Sequence, residues 1–138
     1  VLVIMFLWLG NIGVTWLMAI PILIGTALFA QGLGLMLSIL NAHFGDVQYI
    51  VAVLLGALYF LTPVLYPVSL VEETASWLAI IVLANPMSWF VMTMHDVMYS
   101  LVLPQWWVIP ALLAFGVSVF IAGLALFNRF SEDLGELL

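Results

Sequence analysis

The apolar positions of this chain come in runs too long for a soluble core and too uniform for a one-sided helix. Trp16–Leu40 is twenty-five residues without a charge, Tyr49–Tyr66 is eighteen, and Trp107–Phe127 is twenty-one. A helix rises about 1.5 Å per residue, so runs of this length suit a hydrocarbon layer of about 30 Å, with some tilt. Polar positions gather in short connectors. Gly10–Thr15 (GNIGVT) reads as a turn. Asn41–Gln48 reads as a loop, and it carries His43 and Asp46, the only Asp, Glu, Lys, Arg or His in the first seventy-one residues. Val1–Leu9 is apolar but too short to span, and reads as the tail of a helix.

The segment Ala75–Leu103 behaves differently. Ala75–Met94 is apolar enough to cross, yet Asn85-Pro86 interrupts it and His95-Asp96 follows. A proline inside a helix removes a hydrogen bond and clashes with the preceding turn. In lipid, the freed backbone groups need protein or water around them. Two half-helices that enter and leave on one side fit this pattern best; a kinked full span is the alternative. The expected fold is an all-α polytopic membrane protein in a single transmembrane domain, 1–138. It has about three full transmembrane helices (about 16–40, 49–66 and 107–127), the end of a fourth, and a re-entrant helical hairpin (about 75–103) on the outer side.

Orientation follows from parity. The one basic residue, Arg129, comes after the last run and places the C-terminus in the cytoplasm. Asn41–Gln48 is then cytoplasmic, and Gly10–Thr15 and Pro67–Trp106 lie outside. Trp8, Trp16, Trp77, Trp106 and Trp107 all fall near that outer boundary, where indoles sit well.

Composition supports the bilayer as solvent. Two thirds of the chain is hydrophobic and 6% is charged, against about 25% charged in a soluble domain. A net charge of −6 with a single Arg excludes a nucleic-acid partner, since phosphates need Lys and Arg. The chain has no cysteine, hence no disulfide framework or thiolate metal site. It opens on Val with no charged n-region, which argues against a signal peptide and for a chain cut from a longer one.

Candidate chemistry is sparse. Thr26, Ala30, Gly34 and Ser38 fall four apart on one helix face, a spacing that lets membrane helices approach closely; ordinary packing and a subunit contact are both open. Tyr59, Phe60 and Tyr66 flank the break at Pro63 and Pro67. They can stack on sugar rings or serve as packing aromatics. Glu72-Glu73 reads as a solvated helix start. His95-Asp96 reads as a solvated pair near the outer surface, and two distant histidines make no metal site. The tail, NRFSEDLGELL, is amphipathic and acidic; Phe130, Leu134 and Leu137 or Leu138 form one face. Neither a catalytic constellation nor a phosphate-binding loop stands out, and there is no Lys.

Read in order, Pro21, Gly32, Gly34, Ser38, Leu40-Asn41, Asp46-Val47, Tyr49 and Thr62-Pro63-Val64-Leu65-Tyr66-Pro67 resemble the permease subunit of ABC exporters of the type-2 class, in the polysaccharide, O-antigen and teichoic-acid branch. Asn85-Pro86 matches the family's later Asn-Pro element, and Phe127, Arg129 and Glu132 match its closing helix. Two positions depart: Gly45 stands where the family loop has Arg, and His95-Asp96 where an Arg is common. The resemblance implies the C-terminal portion of a six-span subunit in the bacterial cytoplasmic (inner) membrane, without the family's main coupling helix. It implies a homodimer of complete permeases with two ABC ATPase subunits, ATP and Mg on those partners and no cofactor in this chain, and a lipid-linked glycan as cargo. Tyr59, Phe60, Thr62 and Tyr66 would then line the path. Pro63, Pro67, Asn85 and Pro86 would mark its helix breaks, and Asn41 and Asp46 its cytoplasmic loop. The alternatives are a type-2 exporter of drugs or other small molecules, an integral-membrane glycan-modifying enzyme, and a purely structural membrane anchor.

Overall fold

A computed structural model describes residues 14–63 and 76–135. Among them the structure is all helical. A short turn, α1 (Val14–Leu17), leads into α2 (Ala19–Phe44); α3 is Val47–Leu61, α4 Ser76–Ala84, α5 Pro86–His95 and α6 Val108–Gly135. A π-helical turn, Asp96–Ser100, continues α5. The segments Thr15–Phe44 and Val108–Phe130 are each long and apolar enough to cross a membrane. α3 has 15 residues, about 22 Å of helix, and the residues after Pro63 lie outside the described ones.

Glycine sets the packing of the two long helices. Gly25 faces Leu112 and Gly116, and Gly32 faces Val119, Phe120 and Gly123. Farther along, the His43 ring meets Phe130 edge-on at 6.1 Å. Partner numbers rise together, so α2 and α6 run parallel. In both helices the glycines are seven apart, a spacing that returns to one face within about 20°. Without a Cβ the backbones meet directly: a Cβ on Gly116 would fall on the carbonyl of Gly25.

α5 runs the other way. Phe90 on α5 stacks on Phe29 of α2 at 5.7 Å between ring centroids, whereas the π turn that follows touches α1. The core lies where these elements meet: Ala19, Ile22, Phe29, Phe90, Val97 and Leu112. Phe90 is 1% exposed, and Phe115 of α6 closes on Phe29 at 5.5 Å.

The polar and aromatic groups separate to opposite ends of this pair. Trp16 and Trp106-Trp107 lie at the N-terminal ends of the parallel helices, together with His95, Asp96 and Tyr99. His43, Asp46 and Arg129 lie at the C-terminal ends. The α2–α3 connection is tighter than the polar run suggests. Helix continues through His43 to Phe44, leaving Gly45 and Asp46 as the turn. Gly45 adopts φ 59° and its N–H donates to Asn41 O, a backbone state that disfavours any residue with a Cβ. That gives Gly45 a structural reason to stand where the family pattern has Arg.

Candidate functional site

Two X-Pro dipeptides end helices inside the apolar region. A proline excludes the α conformation from the residue before it. Accordingly Thr62, before Pro63, has φ −81° and ψ 128°, and Asn85, before Pro86, has φ −76° and ψ 115°. Each stop would leave backbone groups without partners; the Asn85 side chain supplies one, and the Thr62 hydroxyl adds a second donor to the carbonyl that Thr62 N–H already bonds. Thr62 Oγ1 donates to Leu58 O at 2.7 Å. Asn85 caps α5, its Oδ1 accepting from Met87 N–H at 3.0 Å. The Trp89 indole donates to Leu83 O at 2.9 Å and satisfies the end of α4.

The two stops meet. Asn85 Nδ2 donates to Thr62 Oγ1 at 2.9 Å across twenty-three residues of sequence. A chain of hydrogen bonds therefore runs from the N-terminus of α5, through Asn85 and Thr62, to the last turn of α3. Thr62 is 6% exposed and Pro63 is buried. Thr62 thus spends its hydroxyl on two protein partners. One turn into α5, Ser88 is wholly buried and its hydroxyl has no hydrogen-bond partner among the described residues.

The remaining site candidates fall around this junction. Tyr59 and Phe60, just before it on α3, are 53% and 74% exposed, and their rings meet edge-on at 5.7 Å. Tyr66, Pro67 and Glu72-Glu73 lie outside the described residues. On α2, Thr26 is half-buried with its hydroxyl donated back to Ile22 O at 2.8 Å, and Ala30, Gly34 and Ser38 are exposed. The close approach to α6 uses Gly25 and Gly32, on an adjacent face. Asn41 sits in the last turn of α2, and its Oδ1 accepts from Gln48 N–H at 3.1 Å, which braces the turn around Asp46. His95 meets Tyr99 edge-on at 5.1 Å, and Asp96 beside it is exposed. Asp46 is at the opposite end of the bundle, so these acids do not converge. The Thr62–Asn85 pairing escaped the sequence reading, although both residues carry the same signal: a polar side chain directly before a proline that ends an apolar helix.

The ABC-2 type transporter model matches residues 1–99. An O-antigen export system permease protein RfbA of Klebsiella pneumoniae is 30% identical over 125 residues, covering 90% of this chain and 47% of that protein. A Myxococcus xanthus protein of the same name is 32% identical over 108 residues, covering 78% and 41%. The chain spans about half the length of the curated relatives it matches. No solved structure matches it significantly. With a family match over most of its residues and apolar helices of membrane length, this chain belongs to the ABC-2 type transporter family of membrane proteins.

Proposed function

We propose that this chain is part of the membrane subunit of an ABC exporter that moves a lipid-linked polysaccharide, of O-antigen, capsule or teichoic-acid type, across the bacterial cytoplasmic membrane. The observation that carries the reading is its similarity, along most of its length, to proteins named as O-antigen export permeases. The complete permease pairs with a second copy and with ATPase subunits. ATP and Mg bind on those partners, and this chain supplies the path.

The parallel packing of α2 and α6 supports three crossings with a re-entrant segment. Two parallel crossings need an odd number of crossings between them. α3 supplies one, and α4 and α5 enter and leave on the same side. Trp16, Trp106 and Trp107 at one end and Arg129 at the other support an outer face at the N-terminal ends. Tyr59 and Phe60, exposed beside a helix break, offer aromatic faces on which a pyranose stacks, and Tyr66 follows them in sequence.

Deleting the permease gene tests the reading. Surface glycan should vanish while lipid-linked glycan accumulates facing the cytoplasm, and a plasmid copy should restore export. Normal surface glycan in the deletion strain would contradict the proposal. A strain that keeps its glycan but becomes sensitive to toxic small molecules would point to the small-molecule branch of the family.

A further inference from the structure

We infer that the Thr62–Asn85 hydrogen bond is a latch that holds the path closed, so that Thr62 and Asn85 are gating residues and not simply lining or turn residues. The inference rests on the exporter reading and adds to it the contact that must break in each transport cycle.

Three observations converge on this contact. First, it joins two points where the helical ladder is already interrupted. Thr62 and Asn85 are both extended, each held so by the following proline. A chain swings most readily at such stops, because the residue after each is a proline with no N–H to carry the ladder on. Second, the contact lies well inside the apolar layer. Fifteen residues of α3 separate Thr62 from the Asp46 turn, about 22 Å of helix, and the ten residues of α5 separate Asn85 from Asp96, about 15 Å. A polar pair at that depth has few competitors while the region is dry. It gains many when water and sugar hydroxyls arrive. Third, Ser88 stores a bias toward opening. Its buried hydroxyl, one turn from Asn85, has no partner among the described residues. It gains one as soon as water or a glycan hydroxyl reaches it. An unpaired buried polar group penalises the state that buries it.

Such a latch has two states, and the structure holds the closed one. In the closed one Asn85 Nδ2 bonds Thr62 Oγ1, the end of α3 abuts the α4–α5 break, and the Ser88 hydroxyl is buried without a partner among the described residues. In the open one the pair is parted, the polar edges of Asn85 and Thr62 face the passing glycan, and Ser88 is hydrated. The same three side chains then make a short polar track across the most apolar part of the path.

The test uses the complete permease assembled with its ATPase subunits, in a strain whose export depends on it. The chain has no cysteine of its own, and any cysteine elsewhere in the complex is first replaced, so that introduced thiols report alone. In Thr62→Cys/Asn85→Cys, tethering the two thiols with a short thiol-reactive cross-linker should stop export, and reductant should restore it to the rate of the untethered double variant. In Ser88→Cys, a small water-soluble thiol reagent should label slowly at rest and faster during turnover. Adding Thr62→Val should raise the resting rate about threefold or more, the scale of one interhelical hydrogen bond in a membrane. Adding Thr62→Ser, which keeps the hydroxyl, should not. Undiminished export by the tethered pair would overturn the latch, as would equal labelling of the Val and Ser variants. Either result leaves the exporter reading intact, because the untethered permease still exports. Loss of that reading would show instead as no dependence of surface glycan on the permease.

Discussion

A methyl group on Gly32 would lie 2.6 Å from the carbonyl carbon and oxygen of Val119, whereas one on Gly34 would meet nothing within 4 Å. Val119 presents backbone there, so the clash cannot be relieved by a side-chain rotation. Gly32→Ala should destabilise the complete permease by about 1–3 kcal/mol, the range for overpacking. Gly34→Ala should be neutral, or stabilising by up to about 1 kcal/mol through helix propensity. Thermal unfolding in detergent separates the two; equal loss from both would contradict the glycine seam. The sequence points to the neighbouring face, Thr26, Ala30, Gly34 and Ser38, because a four-residue spacing is the common mark of close membrane helices. The seam here uses a seven-residue spacing carried by both partners, Gly25 with Gly32 and Gly116 with Gly123. That signal becomes legible only when the two helices are compared. The aromatics divide in a similar way. Phe90, buried against Phe29, should cost about 3–5 kcal/mol when cut to Ala. Phe60, 74% exposed, should cost little stability, so Phe60→Ala and Tyr59→Ala can be read for transport without a folding confound. If they stack on sugar, each should slow export modestly and the pair more than either. Full export by the pair at normal membrane level would leave them as lipid-facing aromatics.

At the scale of elements, the parallel course of α2 and α6 makes a definite claim about sides. A cysteine at His43, by the α2–α3 turn, should resist an impermeant thiol reagent in intact cells. A cysteine at Tyr99, in the π turn at the other end, should react. Ready labelling at 43 would reverse the assignment, and labelling at neither would place the π turn within a crossing. The all-helical class and the apolar runs were plain from composition and pattern. Helix ends were less so, for identifiable reasons. The run beginning at Tyr49 continues to Tyr66 in hydropathy, but α3 stops at Leu61 because Pro63 extends Thr62. Conversely, α6 outlasts its apolar run and reaches Gly135, since Arg129, Phe130, Ser131 and Glu132 raise no barrier to helix where hydropathy falls. The pairing of the two breaks was not legible, because no local rule tells which proline stop faces which.

For the molecule as a whole, this chain takes, on the proposed reading, a share of the path and leaves the energy to partner subunits. It has no Lys and no glycine-rich phosphate loop, so this chain purified alone, free of any ATPase subunit, should bind no ATP. Stoichiometric nucleotide binding in a filter or calorimetric assay would count against the proposed role as part of the membrane subunit of an ABC exporter. Family membership was legible because an ordered series, from Pro21 through Thr62-Pro63-Val64-Leu65-Tyr66-Pro67 to Asn85-Pro86, survives where single residues change. The identity of the proposed glycan was not, because stacking on exposed aromatics would distinguish one sugar from another poorly. The most direct test of the central claim is therefore transport itself. The complete permease and its ATPase subunits are reconstituted into vesicles that carry a lipid-linked glycan in the leaflet facing the ATPase. Movement of the glycan to the opposite leaflet is then followed by a glycosidase confined to that side. The account predicts glycan cleavage that requires ATP and that disappears when the permease is omitted. ATP hydrolysis by the assembled complex with no glycan reaching the far leaflet would contradict it.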